Sequence, residues 1–199
     1  MSEIVAIQNE TLNNLLHNLQ IPDYEPSASL ELLGNAASRY VKNLKINIGK
    51  ALNNTQYLSK KEALLMALAV AINEKYNPLK ESFTAQAKEE GATDAELAEI
   101  AAITSLMNIN NVFYRFRHFM QKDFYNNQPA GIKMSVMMNP VQGKEFFELV
   151  SLVISAINGC EMCVSSHEQS VLQHGSSEAR IFEAVKTGAV IKGLITVLS

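Results

Sequence analysis

Two cysteines and a histidine near the C-terminus are the residues whose types and spacing could do chemistry. Cys160 and Cys163, the only cysteines of the chain, form a C-x-x-C pair, and His167 follows four residues after Cys163. In an α-helix these three residues share one face, with the histidine one turn from Cys163. Such a pair can alternate between two thiols and a disulfide while the histidine accepts the thiol proton. The pattern therefore favours thiol redox chemistry.

The elements predicted on either side of this pair would place an acid beside the histidine. The apolar run from Leu149 to Ile157 is typical of a buried helix, and the Asn-Gly pair that follows is a turn signal. A second helix should start near Cys160, with both thiols in its first turn, where the helix dipole favours a thiolate. In a hairpin of these helices, Glu148 and His167 lie within about 3 Å of the same level. Glu148 could then orient and charge-stabilise His167.

Three other interpretations of the same residues are open. A structural zinc site would need two further ligands, which His167, His174 or Glu148 could supply, but there is no second cysteine pair. A purely structural disulfide would close so short a loop that it removes little entropy from the unfolded chain. Both cysteines could also be inert core residues, because free cysteines are commonly buried.

Composition bounds the class of protein and its partners. The 199 residues, 47% of them hydrophobic, can bury a sizeable core. A formal net charge of −3 and a pI near 5.8 argue against a nucleic-acid partner or an anionic membrane surface. The N-terminus lacks the pattern of a secretory signal, and the longest apolar run, Ala63–Ile72, is too short to span a bilayer. We therefore expect a cytoplasmic protein, where cysteine pairs are more often catalytic or metal-binding than structural.

Helical periodicity and capping signals predict an all-α fold. No run shows the two-residue alternation of a strand, and Ser59-x-x-Glu62 and Thr93-x-x-Glu96 have the form of capping boxes. Residues 123–143 are predicted to form one long irregular connector. Outside the hairpin of the cysteines, the predicted helices cover about 3–19, 29–52, 59–73, 78–91, 93–107, 111–122, 176–186 and 189–198.

Aromatic and basic residues alternate from Tyr114 to Phe119, a pattern that could stack on single-stranded nucleic acid. The helical spacing of Phe113, Phe116 and Met120 instead predicts a core face, with the arginines at an edge or interface.

A weak internal repeat predicts two similar halves. It rests on matches at displacements of 85 and 84 residues: Ala71-Ile72-Asn73 with Ala156-Ile157-Asn158, Gly91 with Gly175, and Glu99 with Glu183. At a displacement of 85 the positions of Glu148, Cys160, Cys163 and His167 correspond to Ala63, Lys75, Pro78 and Ser82. The first half would then keep the architecture without the chemistry. A chance likeness between two apolar helical hairpins is the alternative.

The pattern Glu-x11-Cys-x-x-Cys-x3-His, formed by Glu148, Cys160, Cys163 and His167, resembles the redox signature of the alkylhydroperoxidase D (AhpD) family, within the carboxymuconolactone decarboxylase superfamily. The likeness covers roughly residues 30–199 and includes the segments 110–115, 139–140, 147–149 and 155–160. It suggests a helical N-terminal extension, 1–28, and an AhpD-like all-α domain, 29–199. Within that domain the degenerate half would cover about 59–122 and the catalytic half about 144–199.

The resemblance implies a thiol-dependent alkyl hydroperoxide reductase, an all-helical subunit with two similar halves that assembles as a homotrimer. It implies no bound cofactor or metal, a small organic hydroperoxide as substrate, dihydrolipoamide on a lipoyl-bearing protein domain as reductant, and a peroxiredoxin as a further partner. Cys163 would be the attacking thiol and Cys160 the resolving one, with Glu148 and His167 as the proton relay. A carboxymuconolactone decarboxylase-like enzyme and a non-enzymatic zinc-binding protein are the alternatives.

One position departs from the family pattern. The best-known members carry a histidine between the two cysteines, where this chain has Met162. A methionine can neither protonate a leaving group nor stabilise a thiolate. The peroxidase efficiency that the resemblance implies therefore depends on how the chain works without this histidine.

Overall fold

The computed structural model describes residues 9–21 and 26–199, and every regular element in these two ranges is helical. The predicted all-α class is therefore confirmed. Residues 3–8 of the predicted first helix lie outside the described residues. In chain order the helices are α1 (Glu10–Asn18), α2 (Ala28–Asn35), α3 (Arg39–Asn53), α4 (Lys60–Asn73), α5 (Asn77–Glu89), α6 (Asp94–Met120), α7 (Asp123–Asn127), the 3-10 turn Ser135–Met137, α8 (Lys144–Ile157), α9 (Glu161–Gln173) and α10 (Glu178–Leu198).

Helix α4 lies at the centre of the core. Residues 63–71 are buried on all sides of this helix, which packs against α3, α5, α6, α8 and α10. A helix that is apolar all round is stable in water only when other elements cover it, which is why α4 is enclosed. In the described ranges, none of the helices combines the length and apolarity needed to cross a membrane.

The predicted continuous helix over 29–52 is wrong, because the chain breaks between α2 and α3. Ala37 adopts a left-handed conformation with φ of 47°, and the Ser38 N–H donates to the carbonyl of Leu33. The Ser38 hydroxyl then caps α3 by accepting the N–H of Tyr40. The apolar stripe runs on across this break, so periodicity alone did not reveal it.

The predicted break between residues 107 and 111 is also wrong, because α6 is continuous from Asp94 to Met120. Two asparagines in and beside the predicted break have partners on other helices. The Nδ2 of Asn108 donates to Asn73, and the Nδ2 of Asn111 donates to Ser155. These contacts offset the low helix propensity of asparagine.

Helix α10 likewise runs through the predicted break at 186–189. A Cβ built on Gly188 would collide with the side chain of Val153 on α8. The glycine therefore lets α8 and α10 approach closely and does not end the helix.

The C-terminal end of α6 and the connector after it also differ from the prediction. Phe116 is 45% exposed, so the predicted core face there is wrong, and its ring packs at 5.1 Å on Tyr125 of α7. The connector is not wholly irregular, because it contains α7 and the 3-10 turn Ser135–Met137.

Two successive sets of helices have matching boundaries. Helices α4 and α8 have 14 residues each, helices α5 and α9 have 13 each, and each pair starts 84 residues apart. The predicted correspondence at 85 is therefore off by one for these helices, and the counterparts of the four site residues are Leu64, Tyr76, Leu79 and Phe83. Three of these are buried apolar residues. That the two halves superpose in space stays a prediction.

Two buried carboxylates link the two sets reciprocally. Glu183 on α10 accepts the backbone N–H groups of 56–58, just before α4. Glu99 on α6 accepts the N–H groups of Val141 and Gln142, just before α8. Each set of helices thus carries the acid that accepts the N–H groups of the loop before the other set.

Candidate active site

The two cysteines lie at the turn between α8 and α9. Gly159 has φ of 69°, a left-handed conformation that glycine adopts without strain, and the Cys160 N–H donates to the carbonyl of Ser155. Cys160 is the N-cap of α9 and Cys163 lies in its first turn, so only one of the two cysteines is within the helix as predicted. They are joined in a disulfide with a Cα–Cα distance of 5.3 Å.

Glu148 and His167 meet across the hairpin of α8 and α9. The Oε2 of Glu148 lies 2.6 Å from the Nδ1 of His167, and both side chains are largely buried. A carboxylate on Nδ1 holds the ring so that Nε2 is the nitrogen left to exchange a proton. The structure thus brings together the four predicted site residues, although their catalytic roles remain a prediction.

Lys144 binds the other oxygen of the same carboxylate. Its Nζ lies 2.8 Å from the Oε1 of Glu148 and also donates to the carbonyl of Met137. Burial by itself raises the pKa of Glu148, but the hydrogen bonds and charges of His167 and Lys144 outweigh it, so the pKa lies below its ordinary range. The acid is therefore held ionised. Sequence analysis missed Lys144, although its i,i+4 spacing from Glu148 was a visible signal.

The two sulfurs of the disulfide border different cavities. Cys163, 7% exposed, borders a cavity of about 340 Å³ that is also lined by His167 and by three methionines, Met134, Met137 and Met162. Cys160, 1% exposed, borders a cavity of about 80 Å³ on the side of Arg115 and His118. The side chain of Met162 reaches both cavities. A molecule in the larger cavity therefore meets Cys163 and the histidine.

Polar groups from α6 fix the turn before Cys160. The Nδ2 of Asn158 donates to the Oδ1 of Asn111, and the Nη1 of Arg115 donates to the carbonyl of Asn158. Asn73 at the end of α4 donates to the Oδ1 of Asn158. No local spacing links these residues to the turn, because they lie about 40 to 85 positions away.

A zinc site is not supported by the residues that the structure describes. Within them, no three histidine, cysteine, aspartate or glutamate side chains converge as metal ligands. His174 lies at the far end of α9, where its Nδ1 donates to the carbonyl of Ser170.

Residues 143–198, which contain the hairpin and α10, match the carboxymuconolactone decarboxylase family. The chain is 37% identical over 170 residues to alkyl hydroperoxide reductase AhpD of Rhizorhabdus wittichii, covering 85% of this chain and 96% of the relative. It is 37% identical over 169 residues to the AhpD of Solibacter usitatus, covering 85% and 94%, and 35% identical over 160 residues to that of Coxiella burnetii, covering 79% and 90%. The chain therefore belongs to the AhpD family within the carboxymuconolactone decarboxylase superfamily.

Proposed function

We propose that this protein is a thiol-dependent reductase of organic hydroperoxides. The observation that carries the proposal is that Cys163, bonded to Cys160, borders the same cavity as His167, whose ring is held by an ionised Glu148. The proposed nucleophile Cys163, the proposed base His167 and the orienting acid Glu148 therefore belong to one site. The decarboxylase alternative has no use for a disulfide-forming pair.

In the oxidative half of the cycle the pair starts as two thiols. His167 accepts the proton of Cys163, and the thiolate attacks the outer oxygen of R–O–O–H. The O–O bond breaks, the alkoxide takes the proton back from His167 and leaves as R–OH, and Cys163 becomes a sulfenic acid. The Cys160 sulfur then attacks Cys163 and releases water, which forms the disulfide seen in the structure.

In the reductive half a dithiol restores the pair. One thiolate of dihydrolipoamide, carried on a lipoyl-bearing domain, attacks Cys163 from the larger cavity, and Cys160 leaves as a thiol. The second thiol of the reductant then closes to lipoamide and frees Cys163. By the same exchange the reduced pair passes electrons to the disulfide of a peroxiredoxin partner. We place this cycle in the cytoplasm and in a homotrimer.

Single-turnover stoichiometry tests the proposal. The fully reduced protein, freed of reductant, is mixed with limiting cumene hydroperoxide, and protein thiols and cumyl alcohol are measured. We expect two thiols lost and one alcohol formed per peroxide, with the Cys160–Cys163 disulfide as the protein product. Unchanged thiols under excess peroxide would overturn the assignment.

A further inference from the structure

Asn110 on α6 carries one of the few buried polar atoms that lack a partner in the described residues. The side chain is 6% exposed, its Nδ2 donates to the sulfur of Met134 at 3.3 Å, and its Oδ1 accepts no hydrogen bond. A buried amide oxygen without a donor is unfavourable and is rare in folded proteins. The next residue, Asn111, has partners for both amide atoms, so the helix itself does not impose the deficit.

This unpaired acceptor belongs to the wall of the reactive cavity. Asn110 lines the cavity of about 340 Å³ together with Cys163 and His167. Three methionine side chains form much of the remaining wall, and a thioether has no hydrogen to donate. Tyr114 and Ser166 also line the cavity and carry hydroxyl groups, but neither donates to the Oδ1 of Asn110 in the structure. A molecule in the cavity, or a modified Cys163, can supply the missing donor.

We propose that Asn110 positions the hydroperoxide, an inference that rests on the proposed function. Its Oδ1 accepts the O–H hydrogen bond of R–O–O–H, which holds the outer oxygen at Cys163 and turns the inner oxygen toward His167. The thiolate sulfur bonds to the outer oxygen, the O–O bond breaks, and the alkoxide takes the proton of His167. The original O–H hydrogen stays on the transferred oxygen, so the sulfenic acid of Cys163 still donates to Asn110.

The same contact defines the substrate class. A hydroperoxide has the O–H that Oδ1 requires, whereas the attacking thiolate of a dithiol reductant has none. The soft, apolar side chains of Met134, Met137 and Met162 suit the organic group of the peroxide. Asn110 should therefore matter for oxidation of the pair and not for its reduction.

The test compares the two half-reactions in Asn110→Leu, which keeps the side-chain volume and removes the acceptor. Stopped-flow oxidation of the reduced protein by cumene hydroperoxide should slow by about 10-fold, as expected for one lost hydrogen bond to the reacting group. Reduction of the disulfide by free dihydrolipoamide should stay within about 2-fold. The control Asn43→Leu makes the same change at an exposed position of α3, away from the cavity, and should leave both rates unchanged.

Each other outcome decides against the inference. Unchanged oxidation in Asn110→Leu would show that the amide does not touch the peroxide, and an equal loss in both half-reactions would make Asn110 a structural residue only. If the leucine variant fails to fold, Asn110→Ala, which cannot clash, replaces it with the same expectation. A wild-type protein that leaves the peroxide intact would overturn the proposed function itself, whereas the other outcomes leave that function standing.

Discussion

The Oε2 of Glu148 lies 2.6 Å from the Nδ1 of His167, which joins the first half of α8 to the middle of α9. The residues are 19 positions apart, and the turn at Gly159 brings them together. The carboxylate is ionised at neutral pH because His167 and Lys144 hold its pKa low against the effect of burial.

Replacing Glu148 by Gln keeps the shape of this contact and removes its charge. We expect peroxide turnover to fall by about 10²–10⁴, the usual range for a lost general-base effect, while the unfolding temperature falls by only a few degrees. The pH profile of Cys163 alkylation should move to higher pH, because the proton on His167 loses its counter-charge. The control Glu145→Gln alters another acid of α8, which binds Arg180 away from the site, and should keep wild-type turnover. If alkylation and turnover are unaltered in Glu148→Gln, Glu148 has only a structural role.

Lys144→Met removes the second partner of the same carboxylate. The folded-state pKa of Glu148 lies below its ordinary range, so its stabilising effect is complete above the unfolded-state value of about 4.3 and is lost as pH falls through the folded-state pKa. Without Lys144 the folded-state pKa rises, so the free energy of unfolding at pH 7 should drop by about 1 kcal/mol.

Urea unfolding between pH 3 and pH 7 measures this change, and acid loss of stability should begin at a higher pH in Lys144→Met. Lys192→Met, which breaks an ion pair with Glu74 outside the site, is the control and should lose stability at the same acid pH as wild type. An unchanged pH dependence in Lys144→Met would mean that solvent already screens the pair.

The two cysteines should have separable roles. Cys163→Ser should abolish peroxide consumption, because its sulfur borders the larger cavity. Cys160→Ser should spare one attack and then stop, leaving a sulfenic acid on Cys163 that a dimedone probe detects by mass spectrometry. If Cys160→Ser alone loses the first attack, the roles of the cysteines are reversed.

The oxidised protein should discriminate between reductants. A dihydrolipoamide-bearing domain should reduce the Cys160–Cys163 disulfide faster than glutathione does at equal thiol concentration, because a dithiol resolves its own mixed disulfide. Stopped-flow measurements with both reductants compare the rates, with free dihydrolipoamide as the control for the protein domain. Equal rates for the lipoyl domain and glutathione would contradict the proposal that a lipoyl-bearing domain is the reductant.

Glu183→Gln tests the buried carboxylate that accepts the N–H groups of residues 56–58. Burial raises the pKa of Glu183, but these hydrogen bonds outweigh it and the pKa is lowered. The substitution should lower the free energy of unfolding at pH 7 by about 2–3 kcal/mol. The difference from wild type should shrink at acid pH, as the pH falls through the folded-state pKa of Glu183, which lies below its ordinary range. Chemical denaturation at pH 7 and at acid pH measures it, and the exposed Glu89→Gln should change stability by less than about 0.5 kcal/mol.

Local spacing was enough to predict most helices and the quartet of site residues. Capping boxes at Ser59 and Thr93 begin helices where expected, because a cap depends on residues three positions apart. The positions of Cys160, Cys163, His167 and Glu148 followed from helical periodicity and one turn signal. These features need no knowledge of distant contacts.

The misses depend on residues that are distant in sequence. The continuity of α6 rests on partners that Asn108 and Asn111 find on other helices, and the continuity of α10 rests on the close approach of Gly188 to Val153. Asn110 could not be singled out, because a missing hydrogen bond is visible only when all neighbours are placed. Lys144 alone had a local signal that was overlooked.

Glu99 and Glu183 each cap a loop that leads into the other predicted half of the chain. This arrangement indicates how such a chain can arise. Glu99 accepts N–H groups of the loop before α8, and Glu183, 84 positions later, accepts those of the loop before α4, a helix that begins 84 positions before α8. A single half standing alone would leave its carboxylate without these donors and its own loop without the carboxylate that caps it. Two separate copies of one half could satisfy both needs between chains, each capping the loop of the other. The fused chain makes within one molecule the contacts that a symmetric dimer of half-length subunits would make at its interface.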